Sequence, residues 1–96
     1  AEKLPVKLQD EFRDRFGVLP LEGYGCTELS PVVSTNLHAA TVAGVTQECN
    51  ARGTVGRPIV GVAVRAFAQE DRRPLPPGEE GILNARGPNV MAGYLH

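Results

Sequence analysis

From Leu4 to Phe16 the apolar residues Leu4, Leu8, Phe12 and Phe16 recur at every fourth position, with Lys7, Asp10, Glu11, Arg13, Asp14 and Arg15 between them. A stripe at that spacing predicts an amphipathic helix. Pro5 suits its first turn and Gly17 its end. Val18 to Leu21 then reads as a short apolar strand running into Glu22-Gly23-Tyr24-Gly25, where glycines permit backbone approaches that a side chain blocks. Pro31 to Asn36 predicts a second strand, whereas Leu37 to Arg52 turns small and polar without a sustained period and is expected as a loop. The second half has another character. Ile59 to Phe67 is β-branched and alternating, Arg72-Arg73-Pro74-Leu75-Pro76-Pro77-Gly78 is turn chemistry, and Ile82 to Arg86 returns as a partner strand. Together these elements predict an α+β chain: one helix and short strands, then a small antiparallel β unit.

Size and charge narrow the function. At 96 residues there is room for one small domain with a modest stability margin, too little for a complete multi-substrate enzyme. Ten Lys and Arg against eleven Asp and Glu give a net charge of -1, with no basic stripe to hold nucleic acid or anionic lipid. No apolar run approaches the roughly 20 residues of a membrane span, and the amino end lacks the apolar centre of a signal peptide. A cytoplasmic location is therefore expected. Cys26 and Cys49 lack a second pair at metal spacing and are expected as reduced thiols.

The densest chemistry lies in Tyr24-Gly25-Cys26-Thr27-Glu28. A tyrosine ring stacks on a purine, a glycine admits a ligand to the backbone, a hydroxyl donates to phosphate oxygens, and a carboxylate is a hard ligand for Mg2+. The same residues also make an ordinary helix start, with Thr27 as cap and Glu28 complementing the dipole. Chemistry alone leaves both readings open. His38 and His96 stand without ligand-like neighbours, and Arg72 and Arg73 beside Asp71 read as a solvated hairpin tip.

Gly23-Tyr24-Gly25-Cys26-Thr27-Glu28 resembles the Tyr-Gly-x-Thr-Glu motif of the adenylate-forming superfamily of acyl-CoA synthetases, peptide-synthetase adenylation domains and luciferases. Further matches follow in order. Gly53-Thr54-Val55-Gly56-Arg57-Pro58 resembles its Gly-x-Val-Gly-x-Pro loop. Gly81-Ile82-Leu83 with Arg86-Gly87-Pro88-Asn89-Val90-Met91-Ala92-Gly93-Tyr94 resembles its later Gly-Glu-Leu…Gly…Gly-Tyr motif. Ala1-Glu2-Lys3-Leu4-Pro5 is similar to the segment walling the adenine pocket. Within the superfamily, Glu2 to Leu4 and especially Glu28-Leu29-Ser30-Pro31 look most like bifunctional acyl-acyl-carrier-protein synthetases that also reacylate lysophosphatidylethanolamine, or like other long-chain acyl ligases. Departures include Val60, where a proline is common, and Asn84-Ala85, where a polar and then a β-branched residue is usual.

The resemblance implies a nucleotide site in which Ala1 and Glu2 border the adenine and ribose, Tyr24 stacks on adenine, and Gly25 and Cys26 complete the turn. It further implies that Thr27 reaches the phosphate and acyl carboxylate, and that Glu28 binds Mg2+, so that Thr27 and Glu28 are the catalytic candidates. Cys26 falls at the variable position, with no His in the motif to activate it. ATP and Mg2+ are the expected cofactors; ATP or AMP, a fatty acid, and CoA or an acyl carrier protein are the expected partners. A parent enzyme associated with the inner face of the membrane is part of the same implication.

Residues 1–52 are expected to belong to the edge of a large amino-terminal adenylate-binding α/β domain, and residues 53–96 to its distorted β-barrel subdomain. Three superfamily features are missing from the sequence: a Ser/Thr/Gly-rich phosphate loop ending in Lys, a ribose-binding Asp in a Thr-Gly-Asp context, and the carboxy-terminal domain with its catalytic Lys. The chain is thus expected to be a piece of an acyl-activating ligase, inactive alone and with apolar faces that favour a homodimer through the β half. Its rivals are a non-enzymatic β-rich interaction module and a stand-alone nucleotide-binding domain.

Overall fold

The computed structural model describes residues 2–95; Ala1, a predicted nucleotide-binding residue, lies outside them. An α-helix, α1 (Val6–Phe16), opens the fold. Pro5 precedes it in an extended conformation, and Gly17 ends it in the left-handed region, its N–H bonded to Arg13 O at 2.7 Å. The apolar stripe is present, but its residues stay open to solvent: Leu8, Phe12 and Phe16 are 49%, 42% and 58% exposed. Gln9 is the helix's buried residue, and its Nε2 donates to Pro20 O at 3.2 Å. The helix is therefore tied to the rest of the chain largely by polar contacts, the Gln9 bond and an ion pair of Asp10 with Arg52 at 2.8 Å.

A three-stranded antiparallel sheet in the order β1-β2-β5 carries the motif, built from β1 (Gly23–Gly25), β2 (Val32–Thr35) and β5 (Arg57–Pro58). The strand expected over Val18 to Leu21 lies instead at the Gly-Tyr-Gly of the motif. Pro20 has no N–H for a ladder and its carbonyl is taken by Gln9, so the apolar segment serves as the approach to the strand. Between β1 and β2 the pairing slips from Tyr24↔Ser34 to Gly25↔Val32. That bulge leaves Val33 unpaired on this side and buries it to 1% exposure at the centre of the sheet. Only glycine fits at position 25, since a Cβ there would lie 1.9 Å from Pro31 O.

Leu37 to Arg52, expected as a loop, contains a hairpin of β3 (Ala40–Val42) and β4 (Val45–Gln47). Ala43 and Gly44 both adopt positive φ, 51° and 77°, which is the two-residue turn matched to strand twist. Both strands are exposed on each face, so burial imposes no alternation on their sequence. The strand expected over Ile59 to Phe67 is divided. Val62 N donates to Ile59 O at 3.0 Å, closing a turn between β5 and β6 (Ala63–Phe67). From there β6 pairs with β7 (Ile82–Arg86) in uninterrupted antiparallel register, as the alternation predicts. Residues between them fold back over the end of the hairpin and bury Ala68 and Leu75.

Val33, Ala68 and Leu75 are the buried apolar residues among those described. The accessible surface is 7683 Å², against about 5,400 Å² expected for a folded protein of 10.3 kDa. The α+β architecture thus presents open apolar faces on helix and hairpins alike.

Candidate nucleotide site

Two clefts, of about 530 and 470 Å³, share β1 as a wall. Glu2, Lys3, Glu22, Gly53, Thr54 and Val55 complete the first; Cys26, Thr27, Pro31, Val32, Ser34 and Thr35 complete the second. Tyr24 lines both and is 39% exposed, so its ring is available to a planar ligand. Of the predicted nucleotide-binding residues, Glu2, Tyr24 and Gly25 meet in the first cleft, and Tyr24, Gly25, Cys26 and Thr27 in the second.

After β1 the chain makes one 3-10 turn, Thr27–Leu29, closed by Leu29 N to Cys26 O at 3.0 Å and Ser30 N to Thr27 O at 3.2 Å. The helix-cap reading of Thr27 is not what forms: Cys26 stands at the cap position and no side chain caps the turn. Ser30 leaves it with φ 49°, which sends the chain back into β2. Glu28 lines neither cleft. Its Oε1 accepts a 2.7 Å hydrogen bond from the Tyr94 hydroxyl, and its backbone carbonyl accepts one of 2.9 Å from Met91 N. The Tyr94 hydroxyl foremost, then Glu28's own backbone N–H and the Cys26 thiol, hold the carboxyl below the usual carboxylate value against an opposing desolvation. The same contact raises Tyr94.

Two residues to which the motifs assign no role organise the first cleft. Glu22 is buried to 8% exposure; Oε1 accepts from Leu4 N at 3.0 Å, while Oε2 has no hydrogen-bond partner among the described residues. Asn36, 2% exposed, donates through Nδ2 to Glu22 O at 3.0 Å and Thr54 O at 2.6 Å, and accepts at Oδ1 from Ala51 N at 2.9 Å. It therefore joins the segment before β1 to the glycine loop across the cleft. Ser34 Oγ adds a bond to Val55 O at 2.9 Å. A carboxylate ahead of Tyr24 was visible in sequence; Asn36 had no local signal, because its partners are 14 to 18 residues away.

The chain resembles known proteins along nearly its whole length. A long-chain-fatty-acid–[acyl-carrier-protein] ligase of the Arabidopsis thaliana chloroplast is 40% identical over 91 residues, 95% of this chain and 11% of that protein. A feruloyl-CoA synthase from Amycolatopsis is 38% identical, over 95% of this chain and 17% of that protein. The crystal structure of apo MatB from Rhodopseudomonas palustris superposes with a TM-score of 0.75 at 28% identity, covering 98% of this chain and 17% of that one. The chain thus spans about a tenth to a sixth of the length of these relatives. With a model of the AMP-binding enzymes matching residues 1–95, and the motif turn, glycine loop and clefts in place, the chain belongs to the AMP-binding enzyme family.

Proposed function

We propose that this chain forms part of the nucleotide and metal site of an ATP-dependent acyl-activating ligase. That enzyme joins a fatty acid to the α-phosphorus of ATP, releasing pyrophosphate, and passes the acyl group from acyl-AMP to the thiol of CoA or an acyl carrier protein. The observation that carries the reading is Tyr24 standing between two clefts, with Glu22 in one and Thr27 in the other. Tyr24 stacks on the adenine. Glu2, with Ala1 in the resemblance, borders the adenine and ribose. Gly25 and Cys26 keep the backbone close, and the Thr27 hydroxyl donates to the phosphate and the acyl carboxylate. The names of the long-chain fatty-acid ligases among its relatives support a fatty acid as the acid substrate.

Mg2+ fits the donor set. Among the described residues no three His, Cys, Asp or Glu side chains gather to enclose a metal, and Mg2+ is held typically by one or two carboxylates together with substrate phosphates and water. Glu28 is the carboxylate in this turn, exposed and kept ionised. When bound, the cation neutralises phosphate charge during attack on the α-phosphorus.

The test is fatty-acid-dependent ATP–pyrophosphate exchange by the full-length enzyme and by its Glu28→Ala variant. Exchange is expected in the wild type and is expected to fall by about 100-fold or more in the variant. Exchange indifferent to Glu28 overturns its assignment as the metal ligand, and exchange absent with every carboxylic acid offered sinks the reading in favour of a non-enzymatic module.

A further inference from the structure

We propose that Tyr94 is a positioning residue for Glu28: its hydroxyl fixes the rotamer of the carboxylate assigned above to a phosphate-bound divalent cation. The inference rests on the nucleotide-site reading above and adds to it a residue far away in sequence.

Glu28 sits on a single 3-10 turn, a unit too short to organise itself, and its side chain is exposed. Left alone, such a carboxylate samples several rotamers, and a cation has to select one. The segment from Asn89 to Tyr94 removes that freedom at three points. Asn89 Nδ2 donates to Leu29 O at 2.7 Å and to Val32 O at 3.0 Å, joining the end of the turn to the start of β2. Met91 N donates to the carbonyl of Glu28 itself at 2.9 Å. Tyr94 then reaches Glu28 Oε1 at 2.7 Å. Backbone and side chain of one residue are thus gripped by the same segment.

The chemistry of the donor is informative. A lysine or arginine in this place would orient the carboxylate but offset its charge, weakening it toward a cation. A phenol donates one hydrogen bond and stays neutral, so Glu28 keeps its negative charge and a second oxygen for a metal. Nor is Tyr94 explained as a core residue, since it is 61% exposed. Its contact with Glu28 is what the hydroxyl accomplishes.

The experiment compares wild type, Tyr94→Phe and Glu28→Ala in the full-length enzyme, titrating Mn2+·ATP by the change in free Mn2+ signal and, separately, AMP without metal. Phenylalanine retains the ring and removes the hydroxyl. The expected result is about a tenfold loss of Mn2+·ATP affinity in Tyr94→Phe, a larger loss in Glu28→Ala, and unchanged AMP affinity in Tyr94→Phe, with no more than a small fall in thermal midpoint. Metal-nucleotide affinity lowered in Glu28→Ala but intact in Tyr94→Phe overturns this inference and leaves the site reading standing. Intact affinity in both variants overturns the metal assignment itself. An equal loss of AMP and Mn2+·ATP binding in Tyr94→Phe also overturns the inference, because the segment then acts as general scaffolding.

Discussion

Replacing Asn36 with Ala removes three side-chain hydrogen bonds at once, to Glu22 O at 3.0 Å, to Thr54 O at 2.6 Å and from Ala51 N at 2.9 Å. At about 1 kcal/mol net for each, the direct loss is about 3 kcal/mol. The orphaned partners add little, because Glu22 O keeps the Asn36 backbone N–H and residues 51 and 54 are exposed enough to turn to water. A destabilisation of about 2–4 kcal/mol is therefore expected, at the upper end for a change that removes no apolar side chain. Asn36→Asp is the sharper variant. It preserves an acceptor for Ala51 but places an oxygen where Nδ2 faced two carbonyl oxygens, so its cost should equal or exceed that of alanine. Equilibrium urea unfolding of the full-length enzyme measures the stability change. ATP affinity, measured in parallel, should also fall, because Glu22 and Thr54 both line the first cleft. Wild-type stability in Asn36→Asp, or an alanine variant within about 0.5 kcal/mol of wild type, refutes the view that this side chain joins the cleft walls.

Two further outcomes follow from the geometry. Gly56 has φ 79°, and a Cβ there would stand 2.1 Å from the carbonyl of Thr35. Gly56→Ala therefore combines a left-handed backbone cost of about 1–2 kcal/mol with a clash against backbone, and β5 must leave β2. Faster hydrogen exchange at the Ile59 amide, which donates to Val33 O at 2.9 Å, is the readout; unchanged protection contradicts the argument. The Glu28–Tyr94 contact also sets a pH window. Tyr94 first, then the local N–H and the Cys26 thiol, lower Glu28 from 4.5, so its contribution is present above that value and lost as pH falls through the lower folded value. Hydrogen bonding to Glu28 first, then burial and nearby negative charge, raises Tyr94 from 10.0, so its contribution is present below that value and lost as pH rises through the raised one. Carbon-detected NMR of labelled glutamate should place the Glu28 midpoint below 4.5 and move it upward in Tyr94→Phe; a wild-type midpoint at or above 4.5 counts against the contact.

Local chemistry determined much of this protein. The four-residue apolar spacing and Gly17 mark α1 to within two residues, the β-branched Pro31 to Asn36 segment contains β2, and the Ile59 to Phe67 and Ile82 to Arg86 segments contain the β6 and β7 ladder. The composition of Tyr24 to Glu28 left a ligand turn and a helix start both open, and only the resemblance of the motif singled it out as a candidate site. Tertiary structure decided what depends on partners distant in sequence. The apolar segment before Gly23 became an approach and the motif itself a strand, because Pro20 cannot join a ladder and β2 was placed to pair with Gly23 and Tyr24. The β3–β4 hairpin escaped detection because neither of its faces is buried, which removes the alternation that sequence reading relies on. Asn36 and Tyr94 gained their roles only through contacts spanning 14 to 18 and 66 residues. A hydrogen bond depends on where two atoms lie, and the distance between Glu28 and Tyr94 is set by the folded path that brings Asn89, Met91 and Tyr94 back to a turn closed long before them.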